Sequence, residues 1–316
     1  MKISIAGAGA FGSAIASVFA KGGHSTKLFS PTNFKELCAT RIPRKLGNIK
    51  LPAEIDIVNS LEKTEKNEYL FLAVPTQNLA SFCKENKSFL NDRPLIACCK
   101  GVDQATGLRP SEILSEHSSK VAVMSGPSFA VDISKGMPTA LVLASAEPGF
   151  LRKLQSDISM HNFRLYRTSD VVGVELGGAL KNIIAIACGI AIGAKQGDSA
   201  RAALMTRGFS EMIAFAEAHG AEEKTLTGLS GLGDLSLTCN SEKSRNFVFG
   251  VSLGRQKPFN KNTTVEGVAT AFAVSQKARS IGLEMPITSS VSALVEGSAS
   301  IEEVINSLLS RPTKEE

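Results

Sequence analysis

Lys2-Ile-Ser-Ile-Ala6-Gly7-Ala8-Gly9-Ala10-Phe11-Gly12 opens the chain, and its reading decides the fold. Lys2–Ala6 is a short apolar run in which Ile3 and Ile5 frame Ser4, as in a buried strand. It leads directly into three glycines spaced Gly-x-Gly-x-x-Gly, at Gly7, Gly9 and Gly12. Ser13–Lys21 then has helical composition, Gly22-Gly23-His24 ends it, and Ser25–Ser30 reads as a second strand. Each glycine has its own task. Gly7 permits the tight turn, Gly9 lets the backbone approach a pyrophosphate, and Gly12 lets the helix pack closely on the strand. The helix N-terminus then offers free N–H groups to phosphates. A glycine-rich turn that merely packs is the competing reading. The order strand, turn, helix, strand favours a dinucleotide site.

The acid expected after the second strand is missing. Ser30-Pro31-Thr32-Asn33 stands where Asp or Glu would accept a hydrogen bond from the ribose 2′-hydroxyl of NAD. Lys35, Arg41, Arg44 and Lys45 follow. An uncharged strand end with bases close by tolerates a 2′-phosphate, so NADP is expected as cofactor, with NAD beside it.

Working outward, Lys50–Ile57 reads as loop and a short strand. Tyr69–Val74, Leu95–Cys99, Val121–Met124, Thr139–Ala144 and Phe163–Arg167 read as further strands. Continuous apolar runs of this kind mark a parallel sheet covered on both faces. Ligands of such sheets bind off the carboxyl ends of the strands. Lys100 and Ser128 lie just past such ends. For Lys100 alone, a solvated loop lysine remains the competing reading.

After residue 168 the strand pattern stops. Val171–Ile192, Ala200–His219, Val265–Ile281, Ile287–Glu296 and Ile301–Leu309 read as helices, and Thr313–Glu316 as a frayed tail. The expected organisation is a dinucleotide-binding Rossmann-like α/β domain over 1–168 and an all-α substrate domain over 169–316. Within the first of these helices, Leu-Gly-Gly-Ala-Leu-Lys-Asn-Ile-Ile-Ala-Ile-Ala-Cys at 176–188 is apolar except for Lys181-Asn182. A lysine in such a run must reach water, pair with an acid or do chemistry. The charge also makes the stretch a better core helix than a membrane span. Gly228–Cys239 carries glycines at 228, 231 and 233 and then Asp234, which reads as a loop of close backbone approach. Ser244 is a good N-cap for a helix starting at Arg245-Asn246. An arginine at a helix start is an anion site, because its fork of donors matches phosphate oxygens. A capped surface helix with a solvated arginine is the alternative.

Composition excludes other classes. The chain has 316 residues, 43% hydrophobic and 21% charged, enough for two domains with real cores. Trp is absent and the net charge of +5 comes from scattered Lys and Arg, so no nucleic-acid platform is expected. The six cysteines show no CxxC spacing and the four histidines no ligand spacing, so a metal site is not expected and the thiols read as reduced and cytoplasmic. Met-Lys runs at once into a strand, which leaves no room for a signal peptide there.

Taken in order, GAGAFG at 7–12, SGPSFA at 125–130, ELGGALKN at 175–182, ARAALMTRG at 200–208, GLSGLGDLSLTC at 228–239, SRN at 244–246, VEGV at 265–268 and EMPI at 284–287 resemble the NAD(P)-dependent glycerol-3-phosphate dehydrogenases of the bacterial type. The resemblance spans nearly the whole chain. It implies a C-terminal domain of the 6-phosphogluconate-dehydrogenase-like kind. It also implies interconversion of sn-glycerol 3-phosphate and dihydroxyacetone phosphate, which feeds phospholipid synthesis. It makes Lys181 the acid/base. It makes Asn182, Asp234, Ser244, Arg245 and Asn246 substrate residues, the phosphate falling to Arg245 and Asn246. Lys100, Gly126 and Ser128 become further substrate contacts. Gly7, Gly9, Ala10, Phe11, Gly12, Lys100, Ala130, Arg245, Thr264 and Glu266 become cofactor contacts. The chain departs from the family pattern at Phe11, where Trp or Tyr is frequent, at Cys99, where Thr is usual, and at Pro31, where a basic residue often stands.

Reducing a ketone builds negative charge on oxygen, which the site must neutralise and protonate. The Lys181 ammonium can do both. Burial eases proton release from a lysine and a nearby carboxylate opposes it, so Asp234 is the expected partner. Lys100 would add positive field, and Arg245 would anchor the phosphate. Two alternatives remain open on sequence: another β-hydroxyacid-type dehydrogenase, or a non-catalytic dinucleotide sensor. The apolar helical half is compatible with a homodimer.

Overall fold

Short runs such as Ile3-Ser-Ile5 and Tyr69-Leu-Phe-Leu72 are too brief for stable helices and too apolar for the surface, and they form the middle of a sheet. The computed structural model describes residues 1–65, 69–260 and 263–309. Among the described residues eight strands are formed: β1 (Lys2–Ala6), β2 (Ser25–Phe29), β3 (Asp56–Val58), β4 (Tyr69–Leu72), β5 (Leu95–Ala97), β6 (Val121–Ser125), β7 (Thr139–Ala144) and β8 (Phe163–Thr168). They make one sheet in the order β3-β2-β1-β4-β5-β6-β7-β8. Ile5 of β1 pairs with Leu28 on one side and Phe71 on the other, both in parallel register. The order reverses beside β1, so the crevice past its carboxyl end is the switch point at which such sheets bind ligands.

The sheet is not wholly parallel, as the apolar runs predicted. β7 joins β6 antiparallel, with Met124 opposite Leu143, and β8 then runs parallel to β7. The link from β6 to β7 holds only the short helix Ala130–Ser134, so the chain turns back where a parallel pair needs a longer crossover. Helices at Phe34–Thr40, Leu79–Glu85, Pro110–Ser115 and Pro148–Ile158 lie between strands. Sequence periodicity did not signal them, because most span two turns or fewer. The first helix begins at Ala10, three residues before the expected Ser13, inside the glycine turn.

The chain divides into two compact units, Met1–Lys100 with Arg109–Val174, and Gly101–Leu108 with Glu175–Glu316. In the sheet unit the core includes Ile3, Ile5, Phe19, Leu28 and Phe71, all buried. Helix Val171–Gly193 starts with the Asp170 carboxylate accepting from the Gly173 N–H at 2.7 Å and carries on into the helical unit. It is long and apolar enough to cross a membrane, but 94% of its most apolar window is buried inside the protein, so it is a core helix.

Two helices of the helical unit touch through their glycines. A Cβ at Gly189 would stand 2.2 Å from the Phe247 carbonyl oxygen, and one at Gly250 would stand 2.1 Å from that of Ile186. Gly193 and Gly254 repeat the contact one turn on. This small-xxx-small spacing on both faces brings the backbones of Val171–Gly193 and Arg245–Gly254 together. Helix Gly197–Glu217 packs beside the first, with Gly208 under Ile184. Its buried Glu211 accepts from the N–H groups of Ile287 at 2.7 Å and Thr288 at 3.1 Å, capping helix Pro286–Glu296. Helices Glu266–Ser280 and Ile301–Leu309 also belong to this unit, and the expected frayed tail Thr313–Glu316 lies outside the described residues.

Candidate active site

The glycine turn has the shape its spacing predicts. Gly7 has φ +111°, and a Cβ there would stand 2.7 Å from the Ala73 carbonyl oxygen. A Cβ on Gly12 would stand 2.0 Å from the Gly7 carbonyl oxygen, so helix and strand are in contact at that point. Gly9 differs, since a Cβ there would meet nothing within 4 Å. The open space lies at the N-terminus of helix Ala10–Lys21, whose first turn has neither a capping side chain nor an acidic residue. These N–H groups and this space fit the pyrophosphate of a dinucleotide. Ala10 and Phe11 form the first turn, and Phe11 packs partly against the sheet core.

Past the ends of β5 and β6, three predicted residues come together. The Lys100 ammonium donates to the Gly126 carbonyl at 3.1 Å and the Ser128 hydroxyl donates to the same oxygen at 3.0 Å. Gly126 has φ +140°, which turns its carbonyl out of the strand line. Ala130 begins the helix that follows.

In the helical unit Lys181 is 7% exposed and Asp234 is 1% exposed. The Lys181 ammonium donates to Asp234 Oδ1 at 2.7 Å and to Thr238 Oγ1 at 2.7 Å. The Thr238 hydroxyl donates in turn to the Asp234 main-chain carbonyl at 2.6 Å. Lysine, carboxylate and hydroxyl thus form a buried, mutually bonded set. An ammonium removed from water is costly alone, and the carboxylate at contact distance offsets that cost.

Asp234 is not carried on an open loop, as the glycines suggested. Leu229–Gly233 form a wide π-type helical turn that continues into helix Asp234–Cys239. The glycines serve packing instead. A Cβ on Gly177 would stand 2.7 Å from the Ser230 carbonyl oxygen, and one on Gly231 would stand 1.9 Å from that of Leu226. Helical geometry sets Thr238 one turn beyond Asp234 on the same face. Thr238 escaped the sequence reading because a threonine in a short helix is unremarkable; its spacing of four from Asp234 was the available signal. Behind it, burial and contact with the Cys188 thiol push the Cys239 thiol well up.

The other predicted residues form a second buried chain. Asn246 Nδ2 donates to Asn182 Oδ1 at 2.9 Å, and Asn246 Oδ1 accepts from the Gly267 N–H at 2.9 Å. This ties helix Val171–Gly193 to helices Arg245–Gly254 and Glu266–Ser280. Ser244 caps the second of these, its hydroxyl accepting from the Phe247 N–H at 3.2 Å. Arg245, the first residue of that helix, pairs with Glu266, the first residue of the next, at 2.5 Å. The arginine is 45% exposed on its side chain, so its guanidinium reaches solvent as well as Glu266. Thr264 lies two residues before Glu266 and is half-buried. Lys181, Asn182, Asp234, Ser244, Arg245, Asn246 and Glu266 therefore belong to the helical unit, whereas Gly7–Gly12, Lys100, Gly126, Ser128 and Ala130 belong to the sheet unit.

Comparison with known proteins gives full-length similarity. Residues 2–150 match the family model for the NAD-dependent glycerol-3-phosphate dehydrogenase N-terminus, and residues 170–306 match the model for its C-terminus. A glycerol-3-phosphate dehydrogenase of the NAD(P)+ type from Roseobacter denitrificans is 49% identical over 323 residues, covering 100% of both chains. The corresponding protein of Paracoccus denitrificans is 48% identical over 318 residues, again covering 100% of both. Among solved structures, a glycerol-3-phosphate dehydrogenase from Coxiella burnetii is similar with a TM-score of 0.92 at 33% identity, covering 98% of this chain and 99% of that one.

Proposed function

Since the chain belongs to the NAD-dependent glycerol-3-phosphate dehydrogenase family, we infer that it interconverts sn-glycerol 3-phosphate and dihydroxyacetone phosphate with NAD or NADP. The product direction that consumes reduced cofactor supplies a phospholipid precursor. When bound, the nicotinamide cofactor supplies the hydride that reduces the ketone carbon. The chain's own residues then have to bind the phosphate, hold the carbonyl and deliver a proton.

One observation carries the assignment of roles: a lysine buried in an apolar helix and held by a carboxylate and a hydroxyl, each at 2.7 Å. In the reaction the Lys181 ammonium donates a hydrogen bond to the ketone oxygen and passes its proton there as charge develops. Asp234 keeps the ammonium charged until that moment, and Thr238 fixes its direction. In the reverse reaction the amine receives the alcohol proton. Arg245 takes the substrate phosphate, exchanging part of its contact with Glu266 for phosphate oxygens. Asn182 and Asn246, which brace each other, complete the substrate contacts along with Ser244. In the sheet unit Lys100, Gly126 and Ser128 are assigned substrate contacts, and the Gly7–Gly12 turn and Ala130 cofactor contacts. Thr264 and Glu266 are assigned to the cofactor from the helical unit. The six unbridged cysteines support a cytoplasmic setting, and a homodimer is compatible with the reading.

The function is tested by following oxidation of NADPH and NADH with dihydroxyacetone phosphate. Turnover is expected with both, and its absence would remove the assignment. In the same assay Arg245→Ala should raise KM for the phosphate substrate by about tenfold or more, the scale of a lost charge-assisted contact. If KM stays put and only kcat falls, Arg245 is not the phosphate anchor.

A further inference from the structure

Past the end of β2 the sheet unit opens into a cavity of about 450 Å³ lined by residues that include Pro31, Asn33, Lys35, Glu36, Arg44 and Asn59. In a doubly wound sheet this position faces the adenosine ribose of a bound dinucleotide. The strand end is neutral: Ser30 is buried, with its N–H donating to the Val58 carbonyl at 2.9 Å. Ser30-Pro31-Thr32-Asn33 carries no acid to accept from a 2′-hydroxyl, and the carboxylate in the cavity lining is that of Glu36.

The structure sorts the four bases that follow. Arg41 is engaged elsewhere. Its residue turns into the left-handed region at φ +58°, and its guanidinium donates to the main-chain carbonyls of Pro52 and, at 3.0 Å, Ile55. It closes the loop over 41–55 and does not line the cavity. Lys45 does not line it either. Lys35 and Arg44 do, and of these Arg44 forms an exposed ion pair with Glu36, which also lines the cavity.

We propose that Arg44, paired with Glu36 at the cavity, is the side chain that reads the 2′-phosphate of NADP, and that Glu36 sets how strongly NADP is preferred over NAD. This rests on the dinucleotide reading of the fold. A guanidinium presents several donors in a fixed fork, so it can keep one edge on Glu36 and offer another to phosphate oxygens. A lysine offers only a point charge, which makes Lys35 an auxiliary. Glu36 acts in two directions. It orders Arg44, and its own negative charge opposes a phosphate dianion while remaining tolerant of a ribose hydroxyl. The pair therefore gives a pocket open to both cofactors, with the arginine tilting it toward the phosphorylated one.

The test uses the full chain and two probes, adenosine 2′,5′-bisphosphate and adenosine 5′-monophosphate, titrated calorimetrically into wild type, Arg44→Gln, Arg44→Lys and Glu36→Gln. Wild type should bind the bisphosphate about tenfold more tightly, the scale of one charge-assisted contact. Arg44→Gln should bring the two affinities together with the monophosphate value unchanged. Arg44→Lys should restore only part of the gap, and Glu36→Gln should widen it. Equal affinities in wild type, or an unchanged ratio in Arg44→Gln, overturn the proposal. Turnover with dihydroxyacetone phosphate in the same samples reports separately. Turnover without bisphosphate preference defeats this inference alone, and preference without turnover defeats the proposed function alone.

Discussion

In the proposed mechanism Lys181 is the residue on which the chemistry turns, and its neighbours explain how an ammonium persists in an apolar helix. The Asp234 carboxylate stabilises its charge, and the Thr238 hydroxyl takes a second N–H at 2.7 Å. Thr238→Val keeps the volume and deletes that acceptor. We expect kcat to fall about tenfold, because a hydrogen bond to a charged group contributes about 1.5–3 kcal/mol. Thr238→Ser should recover most of it, and equal kcat in Val and wild type would make Thr238 a packing residue only. At this scale the sequence was informative wherever a residue was out of place. A lysine among isoleucines and an aspartate after three glycines announce themselves. Thr238 and the Gly267 N–H did not, because a helical threonine and a main-chain donor carry no compositional signal.

Elements bring these residues together, and glycine decides how closely they approach. In the cofactor turn, two glycines that look alike in sequence have different environments. Gly9 has φ −73°, which any residue adopts, and faces open space. Gly12 stands against the Gly7 carbonyl oxygen. Gly9→Ala should therefore leave the melting temperature nearly unchanged while weakening NADPH binding, since the new methyl group fills the space assigned to the pyrophosphate. Gly12→Ala should lower stability by roughly 1–3 kcal/mol or more, the cost of overpacking a tight contact. Thermal melts with and without NADPH check both, and a destabilised Gly9→Ala with normal binding would contradict the assignment. Glycine also misled the reading of 228–239. Glycines usually mark loops, but here they let a helical turn sit against Gly177 and helix Val171–Gly193. Local composition could not separate these cases, because a glycine pressed against the Leu226 carbonyl in a helical turn, as Gly231 is, looks the same in sequence as a glycine in a loop.

For the whole molecule, the change from strands to helices near residue 168 was legible, as was the identity of the long strands, whereas the strand order that puts a switch point beside β1 was not. The reversal at β7 was not, since an apolar strand looks the same in either direction. The short helices between strands were also silent, because two turns or fewer give too little periodicity. The family likeness spans both units, one with the dinucleotide-type sheet and the other with the buried lysine that the proposed mechanism uses. The most direct test is the rate of NADPH oxidation with dihydroxyacetone phosphate in Lys181→Ala, with cofactor affinity measured by nicotinamide fluorescence. Lys181→Gln serves as a companion, because it keeps a donor for the buried Asp234 carboxylate. Both variants should lose at least about 100-fold in kcat, the scale of general acid catalysis, while binding NADPH as wild type does. Turnover within a few-fold of wild type in either would contradict the assignment of Lys181 as the acid/base.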